Sequence, residues 1–296
     1  VNNIVKAHLL VLLSTLLVAG SFLAADRLAG VINPFSLTLI RFVAAALVLL
    51  PSLLSRRIWR QQFLPVLPRA MGISLFYAMF FVCMFEALKT TTSLNTGTIY
   101  TLVPFMTALL CLVVLRQKIS RANLGIYLLG VVSACWVIFA GQLEQLLALR
   151  FNSGDLLFFV GALLICCYSL AMKMLYRPSD SMVVLIFGIL FSGAGWMALA
   201  MLVLGYSLDW QQFNSEHVWA MAYLVVGATL ATVYLYQRSI LVLGPRRVMA
   251  YVYLNPALVA LLLWCVDGVS IPQLAIPGIV LCSVATLLLQ WQAHSK

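Results

Sequence analysis

Charge is what this chain has least of. Only 9% of its 296 residues are Asp, Glu, Lys or Arg, against roughly a quarter in soluble domains, and just eight are acidic. Sixty-four per cent are hydrophobic, at a mean hydropathy of +1.07. That excludes a water-soluble fold, which cannot hide so much apolar surface. The three histidines, His8, His217 and His294, lie near span ends and do not converge. There is no HExxH, no GxSxG and no phosphate-cradling loop, so neither a catalytic centre nor a cofactor is expected. The seven cysteines are odd in number, lack zinc-ligand spacing and fall inside apolar runs. They read as small buried apolar residues, and no metal site is expected. The ten-residue alternating segments of a transmembrane barrel are also missing, as are any linker, low-complexity stretch or soluble domain.

What is present is a series of ten apolar runs of about 20 residues, the length that crosses a bilayer as a helix. They are Ala7–Ala25, Pro34–Leu54, Ala70–Leu88, Leu94–Leu115, Ala122–Ala140, Asp155–Met174, Met182–Leu204, Val218–Val242, Val248–Val266 and Leu274–Trp291. The first, after Lys6, is read as a mature helix and not a signal peptide, because further spans follow. The sequence therefore predicts an all-α polytopic membrane protein with lipid as its surrounding partner.

The basic residues test this count. With the N-terminus in the cytoplasm, the inner segments hold Lys6, Arg56, Arg57, Arg60, Arg69, Arg116, Lys118, Arg121, Lys173, Arg177, Arg238, Arg246, Arg247 and Lys296. The outer loops hold Arg27, Lys89 and Arg150. This asymmetry predicts both termini inside. It also accounts for the net charge of +10 as topology, so no nucleic-acid partner is expected. Of the connecting segments, the basic Ser52–Arg69 carries Ile58, Trp59 and Phe63 and is expected on the cytoplasmic surface. Gly141–Ser153 and Gly205–Glu216 are expected as outer loops, with Leu146, Leu147, Trp210 and Phe213 dipping into the interface.

Span 4 has an echo. When Pro104 is laid on Pro256, Leu102 meets Leu254, Ala108 meets Ala260, Leu109 and Leu110 meet Leu261 and Leu262, and Val114 meets Val266. A mid-helix proline removes one backbone hydrogen bond and clashes with the carbonyl four residues back, here Tyr100 and Val252. Interrupted helices at matching places in two halves point to a transporter's binding site. Ten spans divide into two sets of five, residues 1–141 and 142–296. Five is odd, so the second set is inverted relative to the first.

The residues also resemble a known family. NPFSLTLIRFVAAALVLLP (Asn33–Pro51), FEALKTTTSLNTGTIYTLVPFMTALL (Phe85–Leu110) and YQRSILVLGPRRVMAYVYLNPALVALL (Tyr236–Leu262) resemble the EamA-type, ten-helix members of the drug/metabolite transporter superfamily. The resemblance implies two inverted five-helix repeats and a central cavity lined by spans 1–4 and 6–9, with spans 5 and 10 outside. It implies alternating access in a bacterial cytoplasmic (inner) membrane, most commonly for export of amino acids or related compounds. One pattern differs: the Gly-Glu pair usual after spans 4 and 9 is replaced by Gln117, preceded by Arg116, and by Asp267.

Arg41 and Glu86 are the charges lying clearly inside apolar spans. An ion at the helix centre costs about 2.5–3.5 kcal/mol or more, so each needs a partner, water or an interface. Both lie toward the outer side, so they could meet. In one reading Arg41 attracts a substrate carboxylate and Glu86 titrates, with protons as the coupling ion. In the other they form a static pair or snorkel. Thr98, Tyr100 and Thr101 before Pro104, and Tyr251, Tyr253 and Asn255 before Pro256, are candidates to bind a polar solute at the helix breaks. The competing reading is helix–helix packing. Tyr77, Tyr168 and Tyr234 are candidates for an aromatic cage, as are Trp136, Trp196 and Trp264, against packing or lipid contact. The function expected is secondary transport of a small molecule. Uptake of a polar or cationic solute, a membrane enzyme and a non-transporting scaffold are the alternatives. Oligomeric state is not read from these residues.

Overall fold

The computed structural model describes residues 2–116, 121–139, 141, 142, 144, 151–243 and 245–294. Its elements begin with α1 (Asn2–Leu28), α2 (Pro34–Ser55) and α3 (Arg57–Ala87). Span 4 is α4 (Ser93–Ile99), a 3₁₀ turn (Tyr100–Leu102) and α5 (Val103–Val114). Then come α6 (Arg121–Ile138), α7 (Ser153–Leu175) and α8 (Met182–Leu204). Span 8 is α9 (Ser215–Ala222), a π-helical segment (Tyr223–Ala231) and α10 (Thr232–Leu243). Span 9 is α11 (Pro245–Ala250), a second 3₁₀ turn (Tyr251–Leu254) and α12 (Asn255–Asp267), and α13 (Ile276–His294) closes the chain. No strand occurs among the described residues.

The helix starts follow from local chemistry. The Asn33 side chain accepts the Phe35 N–H at 2.9 Å, and Pro34 occupies the first turn of α2, where its missing N–H costs nothing. Thr92 caps α4 and Asn152 caps α7 in the same way. Gly205 and Gly268 end α8 and α12 at φ of +71° and +65°, a backbone region that glycine enters without strain.

Seven helical runs are both long and apolar enough to cross a membrane: Asn3–Leu28, Pro34–Ser55, Arg57–Ala87, Ser93–Val114, Ser153–Leu175, Met182–Leu204 and Ser215–Ile240. Three shorter apolar helices, Leu124–Ile138, Tyr251–Asp267 and Gln273–Leu288, lie where spans 5, 9 and 10 are expected. Large apolar side chains face outward, Leu202 being 82% exposed. Water would not tolerate this over a whole surface, but lipid does. The chain is a multi-pass membrane protein.

The segment 52–69 departs from expectation. From Arg57 onward it is helix, continuous with span 3 through Pro65 and Pro68. Tertiary packing explains the difference. The Phe63 ring meets Phe187 and Phe191 of α8 edge-on at 5.5 and 5.7 Å, and Trp59 packs against the main core. The 31 residues of α3 span about 46 Å at 1.5 Å per residue, so this helix outreaches the hydrocarbon layer. Gln117, Leu146, Leu147 and Arg150 lie outside the described residues.

The helices pair in a regular way. α1 packs against α10 and α12, while α7 packs against α3 and α5. α2 packs on α8, and α6 on α13. The main core runs through α1–α4, α7 and α8, and a smaller cluster of Ile126, Tyr253 and Ala285 fills the space by α6 and α13.

One ion pair ties α3 to the turn before α8. Arg69 grips Asp180 through both guanidinium ends, Nη2 to Oδ1 at 3.1 Å, and donates to the Leu175 carbonyl at 3.2 Å. Arg69 holds the Asp180 carboxyl below the usual carboxylate range. The pair's stabilisation is therefore complete above about pH 4 and is lost as pH falls through the depressed native value. Asp180→Asn should lower stability at neutral pH by about 1.5–3 kcal/mol, the worth of a bond to a charged group, and flatten the acid limb of the stability curve. Thermal unfolding in detergent across pH measures both.

Candidate functional site

Arg41 is the deepest charge. Two turns into α2, it faces the π-helical segment and is only 2% exposed. Its Nε and Nη2 both donate to the Thr229 hydroxyl, at 3.2 and 3.0 Å. Thr229 in turn donates to the Leu224 carbonyl five residues back at 2.8 Å. The wider π turn thus fixes the hydroxyl so that its lone pairs face the guanidinium. The guanidinium carbon sits 3.9 Å from the Phe81 ring centre, a cation–π contact. The remaining nitrogen, Nη1, is buried without a hydrogen-bond partner among the described residues.

Glu86 does not meet Arg41. It ends α3 at 46% side-chain exposure and pairs with Lys89 at 2.6 Å. The spacing along the two spans allowed a meeting at similar depth, but helix rotation sends the two side chains apart.

Aromatic rings extend from Arg41. Tyr77 stacks on Phe42 (5.6 Å, 9°) and on Tyr168 (4.7 Å, 27°), and meets Phe81 edge-on at 4.8 Å. Tyr100 stands nearby, against Phe22 at 5.6 Å and Phe80 at 6.3 Å. Tyr236 reaches Ser14 and Thr15 from the other side. Tyr77, Tyr100, Tyr168 and Tyr236 are each half-buried, so part of every ring stays accessible.

The two helix breaks are alike. In span 4 the Val103 N–H reaches the Tyr100 carbonyl, and in span 9 the Asn255 N–H reaches the Val252 carbonyl. These 3₁₀ bonds serve the carbonyls that Pro104 and Pro256 cannot, so the prolines leave no orphan there. Pro104 is half-buried and Pro256 buried. Thr98 and Thr101 donate to the Leu94 and Thr98 carbonyls at 2.6 and 2.7 Å, spending their hydroxyls on their own helix. Asn255 is buried with both amide atoms unpartnered. One turn on, Val259 reaches α4 so closely that a Cβ on Gly97 would lie 2.8 Å from its Cγ2. Only glycine allows that approach.

Other candidates lie elsewhere. Tyr234 is 58% exposed, beside Arg238 at 5.5 Å. The Tyr251 hydroxyl meets His8 Nδ1 at 2.7 Å near the start of α1. Tyr253 points toward α6 and α13, with its hydroxyl unpartnered. The structure therefore brings Arg41, Tyr77, Tyr100 and Tyr168 together and spreads the rest. Thr229, Phe42, Phe81 and Tyr236 escaped the sequence reading. Phe42 adjoins Arg41, and Phe81 follows Tyr77 by one turn, so these two carried a weak signal. Nothing in the sequence announces the π turn.

The end bearing Asp267 is tied by polar contacts. Arg27 pairs with Asp267 at 2.8 Å and with Glu216 at 3.6 Å. Ser93 donates to Asp26 at 2.7 Å. Asp155, buried at the start of α7, accepts from Thr91 and, at 3.1 Å, from Asn95.

Residues 5–139 match the EamA-like transporter family, of the drug/metabolite transporter superfamily. A match to that family indicates a membrane transporter of small metabolites. One similar crystal structure covers 98% of this chain and 98% of its own, with a TM-score of 0.68 and 20% identity, a likeness of fold alone. No curated protein matches.

Tyr253 offers a check on packing. A Cβ at Gly130 would lie 2.3 Å from its Cε1, so Gly130→Ala should cost about 1–3 kcal/mol through overpacking. Tyr253→Phe removes only an unpartnered hydroxyl and should leave the unfolding temperature unchanged or higher.

Proposed function

We propose that this chain, EamA-like over residues 5–139, is a secondary transporter whose two five-helix repeats, 1–141 and 142–296, give alternating access to a solute site beside Arg41 and Tyr77. The observation that carries this reading is the matched break in spans 4 and 9, each a 3₁₀ turn running into a proline. Helix pairing supports the repeat: exchanging the halves turns α1 on α12 into α7 on α5, and α1 on α10 into α7 on α3. One pairing lacks its counterpart. α4 and α12 pack together, whereas α5 and α11 make no comparable contact among the described residues.

This asymmetry supports a state closed at the Asp267 end and splayed at the other. Basic residues concentrate at the splayed end, so we assign it to the cytoplasm with both termini, in a bacterial inner membrane. To turn over, α4 must part from α12 while α5 and α11 close, and the two 3₁₀ turns are the hinges. The Arg27 pairs at the closed end are partly exposed and contribute only about 0–1 kcal/mol each, so they can break in every cycle. We propose export of amino acids or related compounds, with Arg41, Tyr77, Tyr100 and Tyr168 facing the solute. A proton is the candidate coupling ion. Glu86 is exposed and already paired, so its geometry gives little support to a coupling role.

Proteoliposomes test this. Saturable flux of amino acids or related compounds is expected. Pro104→Ala or Pro256→Ala, which permits a continuous helix, should cut it about tenfold or more without loss of fold, tenfold corresponding to 1.4 kcal/mol on the barrier. In a Cys265→Ser background, a short thiol cross-link between Arg27→Cys and Asp267→Cys should stop flux, and a cleavable linker should restore it on reduction. Glu86→Gln should leave the response to a proton gradient unchanged. Intact protein without flux across a broad panel would remove the transport reading.

A further inference from the structure

The chain's charge distribution is uneven in a way that bears on the cargo. Its eight acids lie at helix ends or in loops. Those nearest the site are engaged elsewhere: Glu86 by Lys89, Asp155 by Asn95 and Thr91, Asp26 by Ser93. Among the described residues, Arg41 is therefore an interior cation without a counterion. Two of its donors share one neutral hydroxyl, one face rests on the Phe81 ring, and Nη1 has no partner. Taking a guanidinium from water without pairing it costs several kcal/mol. A hydroxyl dipole and an aromatic face offset part of that. The rest is what a bound anion would offset.

The neighbours add shape. Tyr77 is sandwiched by Phe42 and Tyr168, and accessible surface is left on Tyr77 and Tyr168. Planar apolar groups stack on such rings. No carboxylate in the described interior is available to receive an ammonium.

We infer that the interior site selects net-anionic solutes, namely a carboxylate on a planar apolar body, held at the free edge of Arg41 and stacked against Tyr77 and Tyr168. This rests on the transport reading and narrows its amino acids to derivatives whose ammonium is absent or masked. A zwitterion satisfies Arg41 but strands its ammonium. An amine meets an uncompensated like charge. The carboxylate should accept from Nη1, with a small rotation of Tyr77 admitting it.

The test uses the full chain in detergent with three matched probes: 3-phenylpropanoate, 3-phenylpropanamide and 3-phenylpropylamine. A ligand that favours the folded state raises its unfolding temperature. The carboxylate should raise it by a few degrees at millimolar concentration, and the amide and amine should not. Arg41→Gln should abolish the shift. Should that variant fail to fold, Arg41→Lys keeps the charge but loses the planar fork, and its half-saturating concentration should rise about tenfold. An equal shift with the amide or amine, no shift with the carboxylate, or unchanged half-saturation in both folded Arg41 variants would overturn the inference. Counterflow with the same probes separates it from transport itself. Flux of neutral or cationic amino acids without anion preference leaves the carrier standing and removes this selectivity. Carboxylate binding without flux of any solute does the reverse.

Discussion

A backbone carbonyl or amide at membrane depth must find a partner inside the protein, because lipid offers none. That rule governs spans 4 and 9. Each carries a proline that cannot donate to the carbonyl four residues back. In both, the chain tightens into a 3₁₀ turn and the residue before the proline donates one position closer, to Tyr100 and to Val252. The break therefore leaves the backbone satisfied while splitting each span into two short helices. Short helices joined by a tight turn can tilt independently, which an unbroken helix of the same length resists. Cost and use come from one substitution.

The same rule shapes the surroundings of Arg41. Its charge is held by the Thr229 hydroxyl, and that hydroxyl is aimed by a π turn that spends its own proton on the Leu224 carbonyl. π segments inside helices commonly mark functional sites because they shift side chains out of regular register. Here the shift carries the one polar group among the described residues that reaches the guanidinium's Nε and Nη2. Phe81 lies against the guanidinium and leads through Tyr77 to Phe42 and Tyr168, an aromatic run whose low polarity strengthens any charge interaction made there.

The two ends of the bundle are built differently. At the Asp267 end, partly exposed ion pairs and short hydroxyl contacts join α1, α4, α9 and α12. At the other end, the largely buried Arg69–Asp180 grip fastens α3 to the turn before α8. The first kind of contact breaks at little cost. The second does not, since parting it strands a charge. The firm grip therefore lies on α3 and the turn before α8, and the contacts that part cheaply lie among α1, α4, α9 and α12.

Composition alone determined that the chain lives in lipid, since 64% hydrophobic and 9% charged residues leave no soluble option. Periodic prolines and capping residues were equally legible: Asn33 with Pro34, Pro104 and Pro256 act locally, through bonds within a few residues, so they read the same in sequence and in space. Arg41 was legible as a misplaced charge, because the cost of burying an ion does not depend on the neighbours' names. Its neighbours were a different matter. That Glu86 turns to Lys89, that Tyr253 faces α6, that residues 57–69 extend α3, and that Thr229 meets Arg41 all depend on how helices rotate against one another. Such rotation is set by many weak side-chain contacts between segments far apart in the chain. No short stretch of sequence contains them, so only the assembled bundle decides.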